Sequence, residues 1–248
     1  MSARVAPAGG EGGRSAPVPP GAGGCPIELA GEAMVALAER VLLWPARRTL
    51  LAADAHFGKA ARFRAQGVPV PAGTTAHDLA RLDALVAAHR LERLVFLGDL
   101  WHGRLREDSP TLATLAQWRA GRRALALELV PGNHDRATGA MAASLDIALR
   151  PEADPEGPFV LRHHPDPHPG GYVLAGHVHP VVRLSGTGRD RLRAPCFVFG
   201  ETVGLLPSFG AFTGGHAITP VAGDRVLVVA GERVLPLPAR TRGRASAR

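Results

Sequence analysis

Three polar side chains stand together at Asn133-His134-Asp135, directly after Val130-Pro131-Gly132. An amide, an imidazole and a carboxylate in succession can serve as a metal ligand, a proton donor and its orienting partner. A polar turn closed by an Asx-type bond accounts for them equally well on their own. Similar groups recur along the chain. Asp54-Ala55-His56 sets a carboxylate and an imidazole two positions apart, so in extended chain both point to one side and reach one cation. Asp-x-His is frequent by chance, and a surface turn is its competing reading. Gly98-Asp99-Leu100-Trp101-His102, His163-His164-Pro165 and Gly176-His177-Val178-His179-Pro180 add further donors. Oxygen donors mixed with imidazole suit Mn, Fe, Zn or Co better than Ca or Mg. Asp54, His56, Asp99, Asn133, His163, His177 and His179 are too many ligands for one ion and enough for two. A pair of divalent ions is the arrangement used for in-line phosphoryl displacement.

Each group follows an apolar run. Thr49–Ala53, Leu94–Leu97 and Ala124–Val130 read as buried strands. Between the first two, the spacing predicts a helix over roughly Ala76–His89, capped by Thr74 or Thr75, with Leu79, Leu82, Leu85 and Val86 on one face. A second helix is predicted from the cap Ser109 and Pro110 to about Ala120. Strand, helix, strand, helix, strand is the signature of a parallel α/β sheet, which gathers its strand-end ligands along one edge. Residues 33–44 are hairpin material, 67–73 a Pro/Gly connector and 136–145 a short helix. Beyond them, short β-type runs alternate with turns: Phe159–Arg162, Tyr172–Ala175, Val181–Leu184, Phe197–Phe199, Val226–Val229 and Val234–Leu237. They predict a second, mostly antiparallel sheet, two of whose strand ends carry the later histidines. His77, His89 and His168 read as surface residues. Neither a Gly-x-Ser-x-Gly elbow nor a Gly-rich phosphate loop occurs, which leaves serine hydrolase and nucleotide-loop chemistry without support.

The chain has 248 residues, 46% of them hydrophobic, enough for one large domain or two small ones. No apolar run approaches the ~18 residues of a membrane span. Residues 1–24, rich in Gly, Pro and Ala, lack the apolar centre of a signal peptide and read as a disordered leader. The domain is expected over 25–238, and 239–248 as a disordered basic tail. Cys25 and Cys196 are expected to be free thiols, as in a cytoplasmic protein. The net charge is +7, with Lys59 the single lysine. That balance fits a polyanionic partner, nucleic acid first, and equally a solvated basic surface.

Asp54-x-His56, Gly98-Asp99-x-x-His102, Gly132-Asn133-His134-Asp135, His163 and Gly176-His177-x-His179 match, in order, the motif set of the calcineurin-like metallophosphoesterases. More narrowly, Asp54–Lys59, Gly188–Phe197 and Pro207–Gly215 resemble the ligase-associated DNA damage response phosphoesterases. The resemblance implies a four-layer αββα sandwich of two face-to-face sheets with helices outside. It implies two divalent ions, Mn²⁺ first among the candidates, with Asp54, His56, Asp99 and His179 holding one. Asp99, Asn133, His163 and His177 would hold the other, Asp99 bridging. His163 is preferred to His164 because the family tends to place one residue between this histidine and a proline. His134 would donate a proton to the leaving oxygen, with Asp135 orienting it and His102 behind the ligands. Arg104 and Lys59 are candidates to meet substrate phosphate, a solvated lysine being an equal reading of Lys59; Trp101, Phe209 and Phe212 are candidates to stack a single strand, with core or loop packing the favoured reading of each. The implied substrate is DNA, single-stranded, and the implied partners are a DNA ligase and a helicase of the same repair system, with no membrane. A hydrolase of small phosphoesters such as nucleotides is the alternative; a non-catalytic scaffold, which would have lost ligands, is the other.

Overall fold

A computed structural model describes residues 23–136, 138–185 and 191–238. The tail at 239–248, all but two residues of the expected leader and the Gly188–Asp190 part of one motif lie outside them.

The first sheet contains β1 (Cys25–Leu29), β2 (Glu32–Leu37), β3 (Val41–Trp44), β4 (Thr49–Ala52), β5 (Arg93–Leu97), β6 (Ala126–Val130) and β7 (Ala148–Leu149), side by side in chain order. From β1 to β4 it is an antiparallel meander; from β4 to β7 neighbouring strands are parallel. The hairpin expected at 33–44 is β2 and β3, with β1 added outside it. Helices α1 (Lys59–Ala65), α2 (Thr74–His89), α3 (Pro110–Ala120) and α4 (Gly139–Ser144) fall between strands of this sheet. α2 begins at Thr74 itself. Its N-cap is Gly73 in the left-handed region, at φ 76°, and no threonine side chain caps it. α1 was not expected; Ala60 is its single buried residue, so it shows no apolar stripe.

The second sheet contains β8 (Ala153–Glu156), β9 (Phe159–Arg162), β10 (Tyr172–Ala175), β11 (Pro180–Ser185), β12 (Arg191–Phe199), β13 (Val203–Leu205), β14 (His216–Ala217), β15 (Arg225–Ala230) and β16 (Arg233–Pro236). It is mostly antiparallel, yet β10 runs parallel to both its neighbours, β9 and β13. The chain therefore leaves β9 at His163 and β10 at Gly176 on the same edge.

Period-two alternation divides the first sheet between two cores. Leu50, Ala52, Leu94, Phe96, Leu127 and Leu129 face the helices, against Leu79, Leu82, Leu85 and Leu115. Leu51, Ala53, Val95, Leu97 and Val130 face the second sheet, against Phe159, Leu161, Leu174, Phe197 and Phe199. Each Leu, Val or Phe among them contributes about 1.5–3 kcal/mol by leaving water. This face-to-face core sets the carboxyl ends of β4, β5 and β6 against those of β9 and β10. The two sheets pack as the α/β sandwich requires, and the helices lie over the first. Among the described residues no helix covers the outer face of the second, where Val182, Cys196, Val198, Val226 and Val228 are buried beside Ile218 and Leu237.

Candidate metal centre

The loops after β4 and β5 run together as an extra pair of extended segments. Asp54 N–H donates to the Gly98 carbonyl (3.1 Å), His56 N–H to Asp99 (2.9 Å) and Phe57 N–H to Leu100 (2.9 Å). Asp54, His56 and Asp99 thereby come to the same place, all three buried. A third partner lies on the far side of Asp54. Ser208 Oγ donates to the Asp54 carbonyl (2.7 Å), and Phe209 N–H donates to Ala53 (2.8 Å). The same segment reaches the second sheet through Leu206 N–H, which donates to Ala175 (2.8 Å). Leu206–Phe209 thus seams the two sheets at the site, a task its Leu-Pro-Ser-Phe sequence did not reveal.

Two donor sets form around Asp99. On one side His179 Nε2 lies 3.3 Å from His56 Nε2 and 3.3 Å from Asp54 Oδ1, and His56 Nε2 lies 3.8 Å from Asp99 Oδ2. On the other, His163 Nε2 lies 3.0 Å from Asn133 Oδ1, 3.0 Å from His177 Nδ1 and 3.5 Å from Asp99 Oδ1. The two oxygens of Asp99 therefore face different sets. Donors about 2.1 Å from one cation stand roughly 3.0 Å apart when adjacent and about 4.2 Å apart when opposite, so the spacings fit a shared ion on each side. A second observation agrees: Asp54 Oδ1 is buried without a hydrogen-bond partner among the described residues. A buried carboxylate oxygen left in that state is costly unless a cation meets it.

Two of the imidazoles, His56 and His163, are prepared as neutral donors. Burial, then Lys59 and the neighbouring rings, lowers the pKa of His56 to about 2. Burial lowers that of His163 to about 4, against the pull of Asp54. His163 Nδ1 lies 3.1 Å from the Leu97 carbonyl, which takes its N–H and leaves Nε2 as the lone pair in the cluster. His164 turns its ring against His177, with centroids 4.4 Å apart, and is also close enough to join a metal-binding group with His163 and His177. The hydrogen bond from His163 to Leu97 favours His163 as the ligand of the two.

This packing demands unusual backbone. Half of the described non-glycine residues with positive φ are Asp54, His56, Asp99, His177 and His179. Each left-handed residue costs roughly 1–2 kcal/mol, a concentration of strain typical of functional sites. Glycines clear the space between them. A Cβ on Gly98 would lie 2.1 Å from His163 Nδ1, and one on Gly132 would lie 2.3 Å from Asp99 Oδ1.

His134 hangs over the cluster. Its N–H donates to Asp99 Oδ1 (2.9 Å), its Nε2 lies 3.9 Å from Asp99 Oδ2, and its side chain is 42% exposed. Asp135 does not orient it. The Asp135 carboxylate accepts the backbone N–H groups of Gly132 (2.8 Å), Trp101 (3.2 Å) and Leu100 (3.4 Å), and so joins the two loops. Burial pushes its pKa up to about 6 against those bonds. His102 lies behind His134, stacked on it, and burial lowers its pKa to about 4. Lys59 is half-buried at the edge, donating to the Thr213 carbonyl (3.3 Å); burial lowers its pKa while Asp54 and Asp99 oppose that. Arg104 is exposed, and no hydrogen bond or ion pair among the described residues ties it to the cluster. Trp101 and Phe209 are fully buried and cannot stack a strand; Phe212, 40% exposed, can. Cys25 and Cys196 are free, as expected.

No protein-family model matches the chain, and neither does any curated protein. Among solved structures, the chain is similar to the nuclease MPE of Pseudomonas putida. The two are 47% identical with a TM-score of 0.76, over 86% of this chain and 100% of that one. Slighter likenesses are to the phosphoesterase YfcE of E. coli (14% identity, TM-score 0.39, 74% of this chain and 88% of that one) and to a predicted phosphoesterase of Streptococcus pneumoniae. The latter is 14% identical with a TM-score of 0.30, over 73% of this chain and 82% of that one.

Proposed function

This chain belongs to the calcineurin-like metallophosphoesterase superfamily, and on that premise we propose that it is a two-metal phosphodiesterase that cuts DNA. The observation that carries the two-metal part is the division of Asp99, with one carboxylate oxygen toward Asp54, His56 and His179 and the other toward Asn133, His163 and His177. A carboxylate can serve two cations at once; a neutral imidazole cannot. The oxygen and imidazole donors suit Mn²⁺ best, with Fe, Zn and Co as other fits. Bound divalent cations would supply Lewis acidity, acidifying water and neutralising charge that grows on a phosphoryl group.

The chain's own residues do the rest. His56 and His163 stay neutral, so they need release no proton to act as donors. His134, poised above Asp99 and half-exposed, holds the proton that goes to the leaving oxygen. Asn133, His134 and His177 are exposed, so the site opens to the surface instead of closing over a small ligand. That openness, together with the nuclease at 47% identity, supports DNA as substrate over free nucleotides. We propose a single strand as the preferred form, a role in DNA repair beside a ligase and a helicase, and the cytoplasm as the compartment. The free thiols are in keeping with that compartment, and among the described residues no helix is long and apolar enough to cross a membrane.

The test is hydrolysis with Mn²⁺ of single-stranded DNA, a bis-phosphoester and a phosphomonoester, with Asp99→Ala as control. Cleavage of the strand and the diester, lost in Asp99→Ala, is the expected result. Turnover of the monoester alone would overturn the reading.

A further inference from the structure

His134 is one end of a group of aromatic side chains whose other members, His102, Phe63 and Phe212, have no part in the chemistry above. The His134 ring stacks on His102, with centroids 5.3 Å apart and planes at 26°. His102 lies over Phe63 of α1 at 6.3 Å and 28°. Phe63 in turn meets Phe212 edge-on at 5.7 Å. Four rings therefore run in series from the proton donor to Phe212, with both ends of the series exposed. Phe212 is the last of the four, carried on a loop with glycines at 210, 214 and 215 and held 40% exposed where Trp101 and Phe209 are fully buried.

Cations accompany this series. Lys59 donates to the carbonyl of Thr213, the residue after Phe212. Arg62, exposed on the same helix, brings Nη1 within 3.7 Å of where a side chain on Gly103 would begin, beside His102. Apolar ring faces flanked by Lys and Arg, leading to a phosphoester centre, match one ligand chemistry: an unpaired nucleobase joined to its phosphates. A base inside a duplex has both faces covered by its stacked neighbours. The series starts at His134, which marks the leaving side of the scissile bond.

We infer that Phe212, backed by Phe63, stacks the base of the nucleotide on the leaving side of the cut, with Lys59 and Arg62 on its phosphates. This rests on the DNA phosphodiesterase reading and makes α1 and the 210–215 loop the part of the molecule that selects single strands.

The experiment compares wild type, Phe212→Ala and Phe212→Trp on two strands of equal length, oligothymidylate and its fully abasic counterpart, with Mn²⁺ and with a bis-phosphoester as a third substrate. The readout is kcat/KM on the base-bearing strand divided by kcat/KM on the abasic one. Wild type should favour the base-bearing strand by about tenfold or more, the worth of one stacked base. Phe212→Ala should bring the ratio toward one, chiefly through KM, and Phe212→Trp should restore it. A ratio unmoved by Phe212→Ala, or an equal loss on both strands, would overturn the inference while leaving the phosphodiesterase reading intact. Failure of wild type to cut either strand, with the bis-phosphoester still hydrolysed, would overturn the DNA reading and this inference with it.

Discussion

The two sheets contribute unequally to the metal centre. The first supplies all the oxygen donors, Asp54, Asp99 and Asn133, and one imidazole, His56; the second supplies imidazoles alone, His163, His177 and His179. They also differ in what holds them. The first-sheet loops are bound to one another, through the Asp54–Gly98 and His56–Asp99 backbone bonds and the Asp135 carboxylate on Gly132, Leu100 and Trp101. The second-sheet histidines lean on the first sheet. His177 N–H donates to Asp54 Oδ2 (2.9 Å), and the His163 ring takes its orientation from the Leu97 carbonyl. The first half is framed by its own backbone and the second is aimed by the first. Charge follows the same division: both carboxylates of the donor sets, Asp54 and Asp99, sit on the framed half, and the aimed half contributes none.

Damage to the framed half should therefore spread, and damage to the aimed half should stay local. Asp99→Ala removes the group both donor sets share, and should lower kcat/KM on order of a thousandfold or more with metal content falling below one ion per chain by elemental analysis. His163→Ala should leave the Asp54, His56 and His179 set able to hold an ion, so the same analysis should read about one per chain. A two-ion His163→Ala protein would undo the contrast. His134→Ala takes away a proton donor and no ligand; it should keep its metal and lose about 10²-fold or more in kcat, most of it on diesters with poor leaving groups. Metal loss there would move His134 among the ligands. Gly132→Ala drives a methyl against Asp99 Oδ1 and should cost about 1–3 kcal/mol in thermal unfolding, with weaker metal binding. Ser208→Ala deletes a single hydrogen bond to the Asp54 carbonyl and should cost about 1 kcal/mol by the same measurement.

The half of the site that could be read directly from the chain was the half with a simple local cause. A buried apolar run that stops at an aspartate, as at Asp54, or at Gly-Asp or Gly-Asn, as at Asp99 and Asn133, puts a polar group at a strand end, and the βαβ handedness collects those ends, so all three were legible without any knowledge of packing. What crosses the chain was not. Asp135 sits next to His134 in sequence, yet its partners at Leu100 and Trp101 are some 35 residues upstream, and adjacency pointed to the wrong role. α1 escaped because Lys-Ala-Ala-Arg-Phe-Arg-Ala buries one alanine and so lacks a periodic apolar signal. Gly73 displaced Thr74 and Thr75 as the cap because its left-handed backbone turns the connector directly into the helix. Trp101 and Phe209 are core, the reading favoured for all three candidate aromatics, and Phe212 is the one left exposed, because exposure is a property of the assembled fold.

The sharing of Asp99 between two cations is the claim on which the chemistry rests. Anomalous diffraction from crystals of the Mn²⁺-loaded protein measures it. The account predicts two peaks ~3.5–4 Å apart, one ringed by Asp54, His56 and His179 and the other by Asn133, His163 and His177, each touched by a different oxygen of Asp99. One peak alone, or two with Asp99 bound to neither or only one, would contradict it.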